Sequence, residues 1–268
     1  MAFLISCSRS PEVVQEELVE RFIRNSGVDK QLALISESVS SEMDSQKNLF
    51  PPDKFVELKS IFDNIYSIKI IRSQIKSSLI KKANQASLKM TNQWLQGTFG
   101  KKIVSLETNS QTKSERDLKE TFRKKIMEVP PSDYRMDLVK KIDRYTFASR
   151  LSFEETQISR KMLYLAQLKN QGANEQDINS IIREDGPKIH YETYLETLSS
   201  LLQTYRSISD VELKEYSDFL KLPHSKELHK IILDAYLKAL EKTTKEATVK
   251  LTEFYKSMSV EKDKTSKD

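Results

Sequence analysis

The amino-acid sequence predicts an all-α fold, an elongated helical bundle built from two similar multi-helix repeats. Only 5 glycines and 7 prolines occur in 268 residues, so the chain can build few tight turns. A β-rich fold needs turn residues at short, regular intervals. Apolar residues instead recur at spacings of three and four, and capping residues precede several of these runs, which is typical of amphipathic helices.

The first helix is predicted from a start signal and a stop signal. Ser10 provides an N-cap, Pro11 occupies the first helical position, and apolar residues follow at four-residue spacing over 14–22. The small and polar residues that end at Gly27 stop this helix. A second helix is therefore expected to begin near Val28.

Three further features predict the helices of the first half. Pro52 opens a segment whose apolar stripe continues to Leu79, which favours one long helix. Gly97 is expected to close the next helix with a positive φ. Beyond Gly100, a single helix is expected to run towards Met127.

The second half contains similar signals. Ser152-Phe153-Glu154-Glu155 and Ser209-Asp210-Val211-Glu212 both match the capping-box pattern, so each is expected to start a helix. Gly186-Pro187 is expected to restart a helix, and Pro223 to interrupt the chain before a final long helix.

The best domain boundary is Pro130-Pro131, close to the midpoint of the chain. Two adjacent prolines cannot lie inside a helix, because they remove two amide donors and restrict the preceding residue. We therefore predict a first helical repeat over 10–129 and a second over 132–257. The almost entirely polar residues 258–268 are expected to form a disordered tail.

An internal repeat is indicated when the chain is aligned with itself at an offset of 125 residues. The aromatic end of a helix, a short kink and a lysine-containing restart then coincide in the two halves. The matched pairs include Phe22 with Phe147, Tyr66 with Tyr191, Leu88 with Leu213, Lys89 with Lys214, Trp94 with Phe219, Leu95 with Leu220 and Ile103 with Leu228.

These residues resemble the bacterial domain-of-unknown-function 2059 family. The C-terminal signature of that family resembles Tyr205-Arg206, Ser209, Glu212-Leu213, Tyr216 and Phe219, and its N-terminal signature resembles Phe22 to Leu34, with Ser26-Gly27 and Lys30-Gln31-Leu32. The resemblance implies helical domains of envelope proteins. It implies no activity and no catalytic residues.

The charges are numerous but nearly balanced, with 44 Lys plus Arg against 39 Asp plus Glu, a net +5. The densest basic cluster, Arg123-Lys124-Lys125, shares its segment with Glu115, Asp117 and Glu120, which favours a salt-bridged helix face over a phosphate track. Nucleic acid is therefore not expected as a partner. Since no window approaches 18 apolar residues, no membrane-spanning helix is predicted either.

A search for reactive groups predicts no catalytic, cofactor-binding or metal-binding residue. His224 and His229 are five positions apart, which puts them on different helical faces, and His190 is remote in sequence. The adjacent acids Glu154-Glu155 and Glu184-Asp185 diverge on a helix, so neither pair favours acid–base chemistry. We interpret all of these residues as surface or capping groups.

Aromatic residues are the remaining candidates for a binding site. Tyr191, Tyr194, Tyr205 and Tyr216 offer rings and hydroxyls for a ligand groove. Packing in the core or between the repeats is the favoured interpretation of these four residues. Trp94 is expected to anchor the first kink.

The single cysteine lies at the N-terminus, ahead of the first capped helix. Leu4-Ile5-Ser6-Cys7 matches the lipobox of bacterial lipoproteins, in which the cysteine accepts a diacylglyceryl group. Only three residues precede the match, whereas a signal peptide needs a basic start and an apolar stretch of roughly 7 to 15 residues. The position of the match ahead of the first helix still favours lipidation at Cys7, and this prediction requires that the given chain is truncated or that its natural start lies upstream of Met1.

The leading hypothesis is a non-enzymatic helical lipoprotein of the bacterial cell envelope, anchored to a membrane and facing the periplasm or the surface. Its expected partner is a protein or a small apolar ligand. Two alternatives stay open: an enzyme with a dispersed site, and a cytoplasmic helical protein that binds nucleic acid. A contiguous basic face would favour the second alternative, and convergent polar groups with shifted pKa values would favour the first.

Overall fold

The computed structural model describes residues 10–168 and 174–265, and within these residues the chain is helical without any strand. The predicted all-α helical bundle is confirmed. A short 3-10 helix lies at Lys47–Leu49. The α-helices are α1 Pro11–Asn25, α2 Val28–Ser45, α3 Pro52–Ile65, α4 Ile68–Lys82, α5 Gln85–Gln96, α6 Thr98–Asn109, α7 Lys113–Asp117, α8 Lys119–Glu128, α9 Asp133–Thr146, α10 Ala148–Leu168, α11 Glu175–Thr204, α12 Asp210–Lys221 and α13 Pro223–Thr265.

Two of the predicted helix starts are confirmed by their hydrogen bonds. The Ser10 hydroxyl accepts from the backbone N–H of Val13 at 3.4 Å at the start of α1. At the start of α12, the Ser209 hydroxyl accepts from the Glu212 N–H at 3.2 Å, and the Glu212 carboxylate accepts from the Ser209 N–H at 2.9 Å. This reciprocal pair is the capping box that the sequence predicts.

The prediction of a single helix over 52–79 is wrong, because the chain turns at Tyr66-Ser67 between α3 and α4. The apolar spacing continues across the turn because Ile65 and Ile71 both face the same core. The periodicity of apolar residues therefore indicates which face of α3 and α4 is buried, but it does not indicate the turn between them. The helix expected from Gly100 towards Met127 is likewise divided, into α6, α7 and α8.

Two predicted starts lie inside helices. Pro187 is an interior residue of α11 and the segment 152–155 lies within α10. A proline removes one hydrogen bond from a helix, and this loss is tolerated where the surrounding turns remain packed. Near the C-terminus, α13 continues to Thr265, so most of the predicted disordered tail 258–268 is helical. The tail sequence lacks glycine and proline, and such polar residues extend an existing helix at little cost.

Most of the buried apolar residues form a first core under the long helix α13. This helix packs against α3, α4, α5 and α10, and it buries Leu228, Leu240, Leu251 and Phe254. The first core also contains residues of α1 and α2. It is therefore built from both sides of Pro130-Pro131.

A second core is formed mainly by α9, α11 and α12, with Leu138, Ile142, Leu213 and Leu220 fully or almost fully buried. Ile103 of α6, which precedes Pro130-Pro131 in the chain, is buried in this core. Each core thus contains residues of both predicted units, 10–129 and 132–257. No helix of the described residues is long and apolar enough to cross a membrane.

The turn between α5 and α6 connects the two cores. Gly97 has an extended backbone, with φ −65° and ψ 161°, so the predicted positive φ is wrong. The Trp94 ring stacks on Phe219, with ring centroids 3.7 Å apart and planes 4° from parallel. Gly100 allows this turn, because a Cβ there would lie 2.2 Å from the Trp94 carbonyl oxygen and 2.8 Å from the Leu95 Cα.

Replacing Gly100 with alanine is therefore expected to destabilise the protein by about 1–3 kcal/mol, because two helix backbones would have to separate. Urea unfolding followed by circular dichroism measures this change. The matched control is Gly186→Ala, also inside a helix, where the new Cβ would meet, apart from its chain neighbours, only the Gln157 amide at 3.6 Å. Alanine gains helix propensity there but places a Cβ before Pro187, so the control should change the stability by less than about 1 kcal/mol. Equal stability of both variants would contradict the close approach at Gly100.

Candidate functional site

The four tyrosines singled out by the sequence do not line one groove. Tyr205 and Tyr216 are buried in the second core. Tyr191, by contrast, is 62% exposed on α11, and Tyr194 is partly buried against the second core. The favoured interpretation, packing in the core, therefore describes Tyr205 and Tyr216 but not Tyr191.

The hydroxyls of Tyr205 and Tyr216 share one carboxylate acceptor. Both donate to Oε1 of Glu107, at 2.7 Å and 2.6 Å. Burial raises the pKa of each phenol well above its usual value, and the charge of Glu107 raises it further. Glu107 thus satisfies two buried hydroxyls and holds α6 against α11 and α12. The hydroxyls of Tyr205 and Tyr216 therefore stay protonated, which fits a structural role for Glu107.

A second tyrosine–carboxylate pair lies in the first core. The Tyr236 hydroxyl donates to Oε1 of Glu155 at 2.9 Å. Burial raises the pKa of Glu155, and burial together with the Glu155 charge raises the pKa of Tyr66 to about 12. This pair joins α13 to α10 and is separate from the Glu107 group.

The histidines are not brought together as metal ligands. Nδ1 of His229 lies 2.8 Å from the Ser225 carbonyl oxygen one turn earlier in α13, and burial lowers the pKa of this imidazole. His190 packs edge-to-face on Phe153, and His224 lies edge-on to Phe219. Among the described residues, no group of three or more His, Cys, Asp or Glu side chains is placed to hold a metal ion.

An open cavity of about 410 Å³ between α10 and α11 contains charges of both signs. Arg160 donates to Asp185 at 2.6 Å and to the Tyr164 hydroxyl at 3.0 Å, while its Nη1 has no partner among the described atoms. The rim adds Lys188, with Glu192 and Glu196. The cavity contains three acids, Asp185, Glu192 and Glu196, against two bases, Arg160 and Lys188, so its charge does not favour an anionic ligand.

A second cavity, of about 360 Å³, is strongly basic, and we call it the basic groove. Exposed Arg24, Lys30 and Lys101 provide its cations, and within the described part of the chain none of the three forms an ion pair. The groove lies where α1 ends, α2 begins and α6 starts. Its full lining is Arg24, Asn25, Gly27, Asp29, Lys30, Lys101, Val104, Ser105 and Thr108.

Gly27 brings these three helices close enough to form the basic groove. It adopts a left-handed conformation with φ +75°, which is favourable only for glycine and a few other residues. A Cβ at this position would lie 3.0 Å from Val104 and 3.1 Å from the Thr108 hydroxyl. The α1–α2 turn can therefore rest directly on α6.

The one acid of the basic groove is already engaged. Asp29 accepts from Nε of Arg72 at 2.6 Å, and Arg72 also donates to Glu20 at 2.8 Å. Hydrogen bonds from Arg72 and then Lys76 lower the pKa of Glu20 to about 2. Asp29 thus forms part of an ion-pair network with α4, and the one acid that lines the groove is paired with a cation from outside it.

Sequence reasoning did not single out the basic groove as a site, although all three of its cations lie in the segments that carry the family resemblance. Arg24 and Lys30 belong to the N-terminal signature, and Lys101 belongs to the helix restart after the kink. The predicted lipidation site, Cys7, lies outside the described residues. Comparisons with protein-family models, curated proteins and solved structures find no match to this chain. The resemblance to the 2059 family therefore stays a prediction.

Glu107→Ala is expected to destabilise the protein by about 2–4 kcal/mol, because two buried hydroxyls lose their acceptor. Glu107→Gln keeps an acceptor oxygen and should cost less. Urea unfolding measures both changes, with Glu246→Ala, an exposed residue of α13, as the matched control. A Glu107→Ala variant as stable as the control would show that Tyr205 and Tyr216 find other partners.

Proposed function

We propose that the protein is a non-enzymatic helical binding module of the bacterial cell envelope, tethered by lipid at Cys7, and that it binds an anionic group of its partner in the basic groove. The observation that carries the proposal is the convergence of Arg24, Lys30 and Lys101 on one cavity, where none of the three forms an ion pair with a described residue. Like charges that face one another are unfavourable, so a bound anion would relieve their repulsion.

The size and polarity of the basic groove support this proposal. Its volume of about 360 Å³ lies at the lower end of the usual range for small-ligand pockets, about 300–1,000 Å³. Asn25, Ser105 and Thr108 add polar groups beside the cations. A group with several acceptor oxygens, such as a phosphate, fits this combination better than the apolar ligand expected from the sequence.

The ionisable groups of the interior support a non-enzymatic role. Strongly shifted pKa values often mark catalytic sites, but they also arise in structural networks. Here Glu107 bonds two tyrosines in the second core, and Glu155 bonds Tyr236 in the first core. Neither group lies among the residues that line the two cavities.

Lipidation at Cys7 is tested by expressing the gene with its natural upstream region in its own host. The expected result is a mature chain whose N-terminal peptide begins at Cys7 and carries the added mass of a diacylglyceryl group. Cys7→Ser should abolish this mass and release the protein from the membrane fraction, since acyl chains supply the attachment. An unmodified cysteine in a soluble protein would end this part of the proposal.

Anion binding is tested on the full chain by titration with inorganic phosphate, with potassium chloride at equal ionic strength as the reference. Amide NMR signals of Gly27 and Lys30 should shift and saturate. Lys101→Gln should weaken binding about fivefold, which corresponds to the loss of one exposed charge contact. Lys89→Gln removes an exposed lysine of α5 outside the groove and should change nothing. Equal affinities of the two variants would contradict the proposed site.

A further inference from the structure

Long-range hydrogen bonds occur at equivalent positions in the two halves of the chain, and the sequence alone does not reveal them. Gln15 of α1 donates to the carbonyls of Ile80 and Ala83, at 3.4 Å and 2.8 Å. Arg135 of α9 donates to the carbonyls of Tyr205 and Ile208, at 2.6 Å and 3.2 Å. The donors are 120 residues apart and both pairs of acceptors are 125 residues apart. A long-range hydrogen bond to the carbonyls at a helix end is therefore made once in each half, by a glutamine in the first half and by an arginine in the second.

The same offsets relate the unusual backbone positions. Gly27 and Phe147 are the residues with positive φ within the described chain, and each separates two consecutive helices. They are 120 residues apart, so Phe147 corresponds to Gly27 and not to Phe22, with which the uniform offset of 125 pairs it. Gly97 and Leu222, 125 residues apart, both adopt an extended conformation at a kink. Their N–H groups donate to the carbonyls of Trp94 and Phe219 at 3.0 Å and 3.1 Å.

Contacts between the halves are reciprocal. Lys102 forms an ion pair with Glu212 at 2.5 Å, and the residues at the matching positions, Glu227 and Ser87, form a hydrogen bond at 2.6 Å. The matching residues Trp94 and Phe219 stack on each other. A two-fold axis produces this pattern. When a residue of one half contacts a residue of the other half, their equivalents make the corresponding contact in the opposite direction, and residues on the axis contact their own equivalents.

The cations of the basic groove are repeated at the same offsets. Arg24 corresponds to Arg144 and Lys30 to Arg150 at 120 residues, while Lys101 corresponds to Lys226 at 125. All six other lining positions differ between the halves: Ser105, for example, corresponds to Lys230 and Val104 to His229. All three positions of the basic groove that carry an unpaired cation therefore keep a positive charge in the second half.

We propose that the halves are copies related by an approximate two-fold axis through the Trp94–Phe219 stack, and that Arg144, Arg150 and Lys226 form a second site for the same phosphate-type anion. This inference rests on the proposed function of the basic groove. It makes the protein a bivalent binder of phosphate groups, whether free or on lipid headgroups.

The surroundings of the second site agree with this assignment. Nζ of Lys226 lies 4.7 Å from the ring centroid of Tyr145, next to Arg144, just as Lys101 shares the basic groove with Asn25. Tyr145 occupies the position that corresponds to Asn25. Lys226 of α13 is thus in contact with the residue of α9 that follows Arg144 in the chain.

Two acids lie near the second site and reduce its strength. Glu154 is 4.0 Å from Arg150, an exposed pair that contributes little. The buried carboxylate of Asp143 accepts from the backbone N–H and the hydroxyl of Ser149, at 2.7 Å and 2.8 Å. The carboxylate of Asp143 accepts only from these neutral donors, whereas Asp29 is paired with the cation Arg72, so the second site is expected to bind phosphate more weakly than the basic groove.

The phosphate titration of the full chain, extended to the amides of Phe147 and Arg150, tests this inference. Two sets of shifts with separate midpoints are expected. Lys226→Gln should weaken the second set about fivefold and leave the first unchanged, and Lys101→Gln should do the reverse. The double variant Lys89→Gln/Lys245→Gln, which removes two exposed lysines outside both sites, should alter neither set.

Vesicles distinguish the two sources of phosphate. If lipid headgroups are the ligand, vesicles of phosphatidylglycerol sediment the non-lipidated full chain, phosphatidylcholine vesicles do not, and Lys101→Gln/Lys226→Gln abolishes sedimentation. If free phosphate is the ligand, the two sets of shifts appear without sedimentation. Shifts around Gly27 alone overturn the second site and leave the proposed function intact. With no shifts and no sedimentation, both proposals fail.

Discussion

The stacked rings of Trp94 and Phe219 are the contact on which the arrangement of helices depends. The two rings lie at the ends of α5 and α12, immediately before the kinks that lead into α6 and α13. Trp94 packs against both cores, so this contact also connects them. Aromatic stacking adds only about 0.5–1.5 kcal/mol beyond burial. Its greater effect is geometric, because it fixes where each kinked helix enters the opposite half.

The interior is held together by polar groups whose partners come from distant helices. Gln15 and Arg135 each satisfy carbonyls at a helix end, where the last carbonyls lack donors within the helix. Glu107 satisfies two tyrosines from other helices. Because an unsatisfied buried group costs about 1–3 kcal/mol, these bonds select one register for each helix pair. Apolar packing alone tolerates small shifts of a helix along its axis.

The existence of helices and the caps at Ser10 and Ser209 could be predicted from the sequence, whereas turns inside apolar stripes could not. Ser10 and Ser209 act through bonds to residues three positions away, so local sequence contains the whole interaction. The turn at Tyr66 and the continuous helix through Pro187 depend instead on packing with residues far along the chain. The basic groove could not be predicted for the same reason. Its formation depends on α6, which brings Lys101 next to the turn at Gly27, more than 70 residues earlier in the chain.

The 43-residue length of α13 determines when the protein can fold during its synthesis. Leu240, Leu251 and Phe254 close the first core over helices that leave the ribosome much earlier. Until the C-terminal helix emerges, the apolar faces of α3, α4 and α5 have no cover and are exposed to aggregation. Folding of the first core therefore waits until α13 has left the ribosome. A chaperone that holds the nascent chain would act on those faces, and the arrival of α13 would displace it.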